Sequence, residues 1–196
     1  MVTVTREDVN TLKDDWLTDN TIAFWQEYIS RERIPQAIPL LPHRPTPPLH
    51  GIYATNAGQP HSTPFRSPRL SSHHHIFLPI NDNRNVSQAE GGSHWSLLLV
   101  SVIDGVAFHY DSLSPSNYEE ANTTTYKLGQ LLGRQLRFLN LQDTPQQQNG
   151  SDCGIYVCII MRHLLLKRLL CANAREKVSM SMGGKLVDAS GREKRC

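Results

Sequence analysis

Once ionised, cysteine is a strong nucleophile, and one of the four cysteines in this 196-residue chain sits where ionisation is favoured. Cys153 follows the polar, turn-forming run Gln146-Gln147-Gln148-Asn149-Gly150-Ser151-Asp152 and precedes Gly154 and an apolar helical stretch. This sets its sulfur at a helix N-terminus, where unpaired N–H groups and the helix dipole favour thiolate over thiol. A thiolate nucleophile needs a general base, and the base needs a partner that fixes its tautomer. His94 and Asp111 suit these two roles. They open and close a β-hairpin, His94 to Ser101 and Val106 to Asp111, turned by Asp104-Gly105. A two-residue turn pairs residue 98 with 111, and 94 shares the face of 98 because side chains alternate. His94 and Asp111 then lie on one face, roughly four residues out of register, and a bend or bulge must bring them together. The competing reading is a helix-start Cys, a strand-edge His and a turn Asp with no relation. Cys158 and Cys171, in or at the end of the apolar helix, read as inert thiols.

The elements that must position these residues are short and mixed. Residues 16 to 29 carry Thr18 and Asp19 as candidate N-caps, then Ile22, Trp25 and Ile29 at helical spacing, which predicts an amphipathic first helix. His75 to Ile80 reads as a buried strand ended by the turn formers Asn81-Asp82-Asn83. Ser114-Pro115-Ser116-Asn117 opens a helix to about Gly133, Leu136 to Leu141 gives a further strand, and Cys153 to Leu170 a buried helix. Along that helix Ile155, Cys158, Ile159, Arg162, Leu165, Leu166 and Leu169 follow one another. Strands and helices without strict alternation define an α+β class.

Composition bounds the rest. The length suits one domain, 1–196. Nine of the twelve prolines fall between Pro35 and Pro68, with His43, His50 and His61 and no sustained period. Residues 35–72 are accordingly an irregular Pro/His/Ser-rich insertion or a coding-segment error, and 185–196 a disordered or truncated tail. Lys+Arg 20 against Asp+Glu 18 leaves a net charge of +2 without a charge block, too little for a groove that neutralises phosphates. Apolar stretches such as Leu97 to Val102 fall short of the ~20 residues a bilayer crossing needs. The N-terminus has no secretory pattern, and the cysteines lack metal-ligand spacing, which together imply a reducing compartment, cytoplasm or nucleus. His73-His74-His75 are consecutive and would point alternately in a strand, so no metal site is expected. His109 is read as pointing to the face opposite Asp111, as a surface or satisfied histidine.

The strings GGSHWSLLLV, FHYDS and PQQQNGSDCGIYV, with WLTDNTI near the start, resemble the ubiquitin-like-protein proteases, the Ulp or sentrin-specific family of cysteine peptidases. INDNRN before Gly-Gly-Ser-His-Trp is similar to the deneddylating branch. The resemblance implies a papain-like α+β fold with the catalytic order permuted to His, Asp, Gln, Cys. It implies a thiol isopeptidase that cuts after the terminal Gly-Gly of a ubiquitin-like modifier, of the Nedd/Rub type or alternatively SUMO, acting as a monomer on the modifier and its conjugates without cofactor, nucleic acid or membrane. It makes Cys153 the nucleophile, His94 the base, Asp111 its orienting carboxylate and Gln147 the side-chain donor to the oxyanion, with Gln146 and Gln148 projecting elsewhere and Asp152 mainly structural. Trp16 and Trp95 match aromatic positions that roof a narrow channel, and Asp19 a position that contacts the modifier. No family segment is recognised between Ile34 and Leu70. A catalytically impaired module that holds the modifier without cutting it is the alternative from another class.

Overall fold

The computed structural model describes residues 2–13, 15–32, 75–83, 91–170 and 178–183. The insertion at 35–72, His73, His74, Cys171, Cys196 and the tail at 185–196 lie outside the described residues.

The centre of the fold follows from one apolar run. Leu97, Leu98, Leu99 and Val100 are all fully buried, which a strand achieves only when both of its faces are covered. That strand, β2 (Trp95–Ser101), lies between β1 (His75–Asn81) and β3 (Val106–Tyr110), antiparallel to both, and β3 pairs in parallel with β4 (Arg137–Asn140). The four strands are ordered β1-β2-β3-β4. Pro79, in β1, is tolerated because β1 is an edge strand among the described residues. The odd residues Leu97 and Leu99 meet α4 (Cys153–His163) through Tyr156, Val157, Ile160 and Met161, with Ile22 of α2 (Asp19–Glu32) in the same cluster. The even residues Leu98 and Val100 meet α3 (Tyr118–Leu132) through Ala121, Leu128 and Leu132. Three layers result, of the α+β class read from the pattern of elements.

Local chemistry sets the boundaries and corrects several expectations. A short helix, α1 (Arg6–Asn10), precedes the one expected to be first, and Thr5 and Asp8 close a capping box on it. The T-x-x-D spacing that signals such a box was present in Thr5-Arg6-Glu7-Asp8. Thr18 caps α2 by accepting the Thr21 N–H at 3.2 Å, and Asp19 is the first helical residue rather than the cap. Ile22 and Ile29 are buried and Trp25 partly so, as their spacing predicted. Gly133 ends α3 in the left-handed region at φ 66°, at the predicted position. The fourth strand is narrower than predicted, Arg137–Asn140.

The last helix departs more. Ile155 and Ile159 are only half-buried, whereas Tyr156, Val157, Ile160, Met161 and Leu164 carry the packing. Covered by the sheet on one side and by α2 on another, α4 has no single apolar stripe for a 3.6-residue period to reveal. Beyond His163 the helix widens to i→i+5 bonding over Leu164–Leu169, with the Leu170 N–H on the Leu165 carbonyl at 2.9 Å.

Candidate active site

The hairpin turn is longer than Asp104-Gly105 predicted. Ser101 pairs with Val106, so Val102 to Gly105 form a four-residue loop, held by the Gly105 N–H on the Ser101 carbonyl at 3.0 Å and by Ser101 Oγ donating to Asp104 Oδ2 at 2.5 Å. The pairs Leu97 with Tyr110 and Leu98 with His109 move the register by two, and extending it by one step sets Ser96, not residue 98, opposite Asp111. His94 and Asp111 both lie just outside the paired strands, where the backbone is released from the ladder and can turn inward. Their side chains meet: His94 Nε2 and Asp111 Oδ1 are 2.6 Å apart, and both residues are buried.

The backbone before His94 is held by a residue of the INDNRN string to which no site role was given. Asp82 accepts the Ser93 N–H at 2.6 Å, the Ser93 hydroxyl at 2.5 Å and the His94 N–H at 3.1 Å. Burial raises its pKa, and these hydrogen bonds outweigh burial and hold it below the ordinary 3.8. Gly92 makes the approach feasible: it sits at φ 86°, and a Cβ there would meet Asn81 Oδ1 at 2.1 Å and Asp82 Oδ1 at 2.6 Å. Its own residue type marked Asp82 only as a turn former, because nothing local in Asn-Asp-Asn tells that its carboxylate reaches eleven residues ahead.

Cys153 is the first residue of α4 and is buried. Asp152 precedes it and no side chain caps the helix, so the dipole end stays open toward the sulfur. Asn149 shapes the loop before it by accepting the Ser151 and Asp152 N–H groups at 3.1 and 2.9 Å. Gly154 lets Leu17 seat on the helix start, since a Cβ there would meet Leu17 Cβ at 2.8 Å. Trp16 reaches the same loop, donating Nε1–H to the Gly150 carbonyl at 2.9 Å while its ring stays exposed.

His94 joins the two halves. Burial by itself would lower its pKa; hydrogen bonding to Asp111 and to Cys153, with the negative charge of both, outweighs burial and raises it to about 9. Nε2 is taken by Asp111, which leaves Nδ1 as the nitrogen for the sulfur. Burial acts on Asp111 in the opposite sense, raising its pKa, and is outweighed by bonds from His94 and from the Asn117 and Leu113 N–H groups, which hold the carboxyl below 3.8. The arrangement stabilises a buried imidazolium against the Asp111 carboxylate. Cys158 is the contrast: burial alone pushes its thiol up to about 12. A stoichiometric alkylating reagent near neutral pH is therefore expected to modify Cys153 before Cys158, with peptide mapping of the adduct as the check. An adduct on Cys158 first would remove the basis for ranking the two.

Gln147 lies in the same loop system. Its N–H donates to the Ser112 carbonyl at 2.8 Å, and Ser112 Oγ donates to its Oε1 at 2.8 Å. Nε2 gives one hydrogen to the Asn149 carbonyl at 2.7 Å, and the second meets no acceptor among the described residues. Gln146 projects elsewhere, toward the backbone of the Asp111 loop. Its Nε2 donates to the Asp111 and Thr144 carbonyls, both at 2.9 Å, and its Oε1 accepts the Ser114 N–H at 3.1 Å. In an extended loop, neighbours project to opposite sides, and here one side is the Asp111 backbone.

The remaining expected site residues are less closely tied. Trp95, next to His94, is half-buried against the α4 side of the sheet, and Asp19 is exposed at the start of α2. His109 requires correction. Residues two apart on a strand share a face, so His109 lies on the side of Asp111, and it is fully buried rather than on the surface. Both ring nitrogens are satisfied, Nδ1 with Asn140 Oδ1 and Nε2 with Ser96 Oγ, each at 2.9 Å. Among the described residues no group of His, Cys, Asp or Glu is arranged to hold a metal, and no helix is long and apolar enough to cross a membrane.

Known proteins similar to this chain were found by sequence and by structure. The Ulp1 protease family, C-terminal catalytic domain, matches residues 53–179, beginning inside the 34–70 stretch in which no family segment was recognised. NEDD8-specific protease 2 of Schizosaccharomyces pombe is 35% identical over 96% of this chain and 46% of its own length. NEDD8-specific protease 1 of Arabidopsis thaliana is 30% identical over 82% of this chain and 71% of its own. This chain thus spans about half, or less, of the length of the fission-yeast relatives it matches, 46% and 40%. Among solved structures, the SUMO protease Ulp1 with its catalytic cysteine oxidised to a sulfinic acid superposes with a TM-score of 0.55 at 22% identity, over 88% of this chain and 77% of that one, a likeness of fold. With all four described strands of the sheet and the Cys153 helix inside the matched region, this chain belongs to the Ulp1 protease family.

Proposed function

We propose that this chain is a thiol protease that cuts after the C-terminal Gly-Gly of a ubiquitin-like modifier, of the Nedd type. The observation that carries this reading is the buried His94, hydrogen-bonded to Asp111 at 2.6 Å and close enough to Cys153 for the sulfur to raise its pKa, with Cys153 at the open end of a helix. In this reading the Cys153 thiolate attacks the carbonyl carbon of the terminal glycine. His94 gives its proton to the departing amine, and water then releases the modifier from the thioester with His94 as base. Asp111 holds the imidazole, and the second Gln147 N–H faces the developing oxyanion. Trp16 and Trp95 wall a passage that only glycine fits, and Asp19 contacts the folded part of the modifier. The modifier's identity rests on the likeness to proteases named for NEDD8.

Probes made of Nedd8 or SUMO with a C-terminal electrophile test the assignment. Labelling of Cys153 by the Nedd8 probe, with little by the SUMO probe, is the expected result. Labelling by SUMO alone would transfer the activity to that modifier, and tight binding of a modifier without labelling or turnover would make the chain a holding module instead.

A further inference from the structure

Behind the His94–Asp111 pair lies a second set of buried polar groups that the proposed chemistry does not use. Asn117, just before α3, is fully buried. Its backbone N–H donates to Asp111 Oδ2 at 3.0 Å, the carboxylate oxygen that His94 leaves. Its side-chain Nδ2 faces the Ile80 carbonyl at 3.1 Å, the His94 carbonyl at 3.3 Å and Ser96 Oγ at 3.2 Å. One residue thus touches the end of β1, the backbone of His94 and the carboxylate of Asp111. Its Oδ1, also buried, meets no partner among the described residues, so the amide is held entirely by its donor end. A chain of hydrogen bonds fixes which end that is. Burial lowers the His109 pKa, so one of its ring nitrogens stays unprotonated. With Nδ1–H on Asn140 Oδ1, the Ser96 hydroxyl donates to Nε2 and its lone pairs face the Asn117 amide N–H. A flipped amide would set its oxygen against three acceptors.

We infer that Asn117 is a positioning residue for the His94–Asp111 pair, its amide locked by the Ser96–His109–Asn140 chain, so that a single side chain fixes the backbone of the base while its own N–H fixes the carboxylate. The inference rests on the proposed thiol-protease reading. Removing the amide releases the His94 carbonyl and lets the imidazole drift from Asp111, and misplacement on the order of 1 Å typically costs about 10²-fold in rate.

The test compares Asn117→Ala and Ser96→Ala with the intact protein in two assays: cleavage of a modifier carrying a C-terminal fluorogenic amide, and iodoacetamide alkylation of Cys153 across pH. The charged and titratable groups around the amide are His94, Asp111 and His109, with Cys153 across the ring. Asn117→Ala is expected to lower kcat about 10²-fold with KM unchanged. The alkaline limb of the cleavage profile, near pH 9 in the intact protein, should move toward neutrality as His94 loses its hold on Asp111, and alkylation of Cys153 near neutral pH should slow as the imidazolium beside it is lost. Ser96→Ala should give a smaller shift in the same direction, and it decides the matter if Asn117→Ala does not fold. A folded variant with kcat and the limb in place overturns the inference while the thiol-protease reading stands. An intact protein whose cleavage shows no His94-dependent alkaline limb overturns both.

Discussion

Replacing His94 with Ala is expected to abolish turnover, and Asp111→Asn to leave a residual activity roughly 10⁴-fold below the intact protein, the usual loss when the orienting carboxylate becomes an amide. The base is lost in the first variant, whereas in the second the nitrogen remains and only its tautomer is misdirected. Nε2 now holds its proton against Asp111 Oδ1 at 2.6 Å, leaving Nδ1 to exchange a proton with sulfur. An amide at 111 can present its N–H to Nε2 instead and stabilise the opposite tautomer. The pH dependence separates the two outcomes further. The His94 pKa is raised to about 9, against burial, by the hydrogen bonds and charge of Asp111 and Cys153, so the imidazolium that protonates the leaving amine persists to about pH 9 and activity falls above it. Without the Asp111 charge that alkaline limb must fall to lower pH. The same linkage applies to stability. Raised from 6.5, His94 contributes stability that is fully present below 6.5 and lost as pH rises through about 9; Asp111, lowered, contributes stability present above 3.8 and lost as pH falls through its depressed value. Turnover and thermal melts of both variants, with the pH profile of Asp111→Asn, are the measurement, and equal, small effects on turnover would exclude both residues from the site.

Gln147→Ala should lower kcat by about 10²- to 10³-fold, the range found for loss of one oxyanion donor, with KM for the modifier and the alkaline limb unchanged. Its neighbours provide controls of different kinds. Gln148 is exposed, and its replacement with Ala should leave kinetics unaltered. Gln146→Ala removes the donor to the Asp111 carbonyl, so it should reduce activity through the position of Asp111 and carry the alkaline limb downward with it. The limb therefore distinguishes a donor aimed at the oxyanion from a staple on the carboxylate loop, even where the loss of rate is similar. An active enzyme indifferent to Gln147→Ala would leave the oxyanion to backbone N–H groups alone, and a moved limb in that variant would make Gln147 a second staple.

What the sequence determined by itself are the features whose physics is local. A cysteine at the junction of a polar turn and an apolar helix must lie at a helix N-terminus, and Cys153 does. Alternation along two strands put His94 and Asp111 on one face in the predicted register and in the observed one, because the shift by two residues preserves the face. Ile22 and Ile29 declared the buried side of α2, because α2 has only one side to bury. The last helix is covered on more than one side, and its packing residues escaped the period. Side-chain reach across the fold was equally unreadable. Asp82 reaches Ser93 and His94, Gln146 reaches the Asp111 carbonyl, and Asn117 touches Ile80 and His94, contacts between residues 11 to 37 positions apart. Asp, Gln and Asn in turn-rich segments satisfy neighbouring backbone groups so readily that a long-range partner leaves no trace in spacing. The two-residue error in the hairpin has the same origin, since Asp104-Gly105 also fits the end of a four-residue loop. Only the assembled sheet, with α3 on one face and α4 on the other, decided that these groups converge on one buried imidazole.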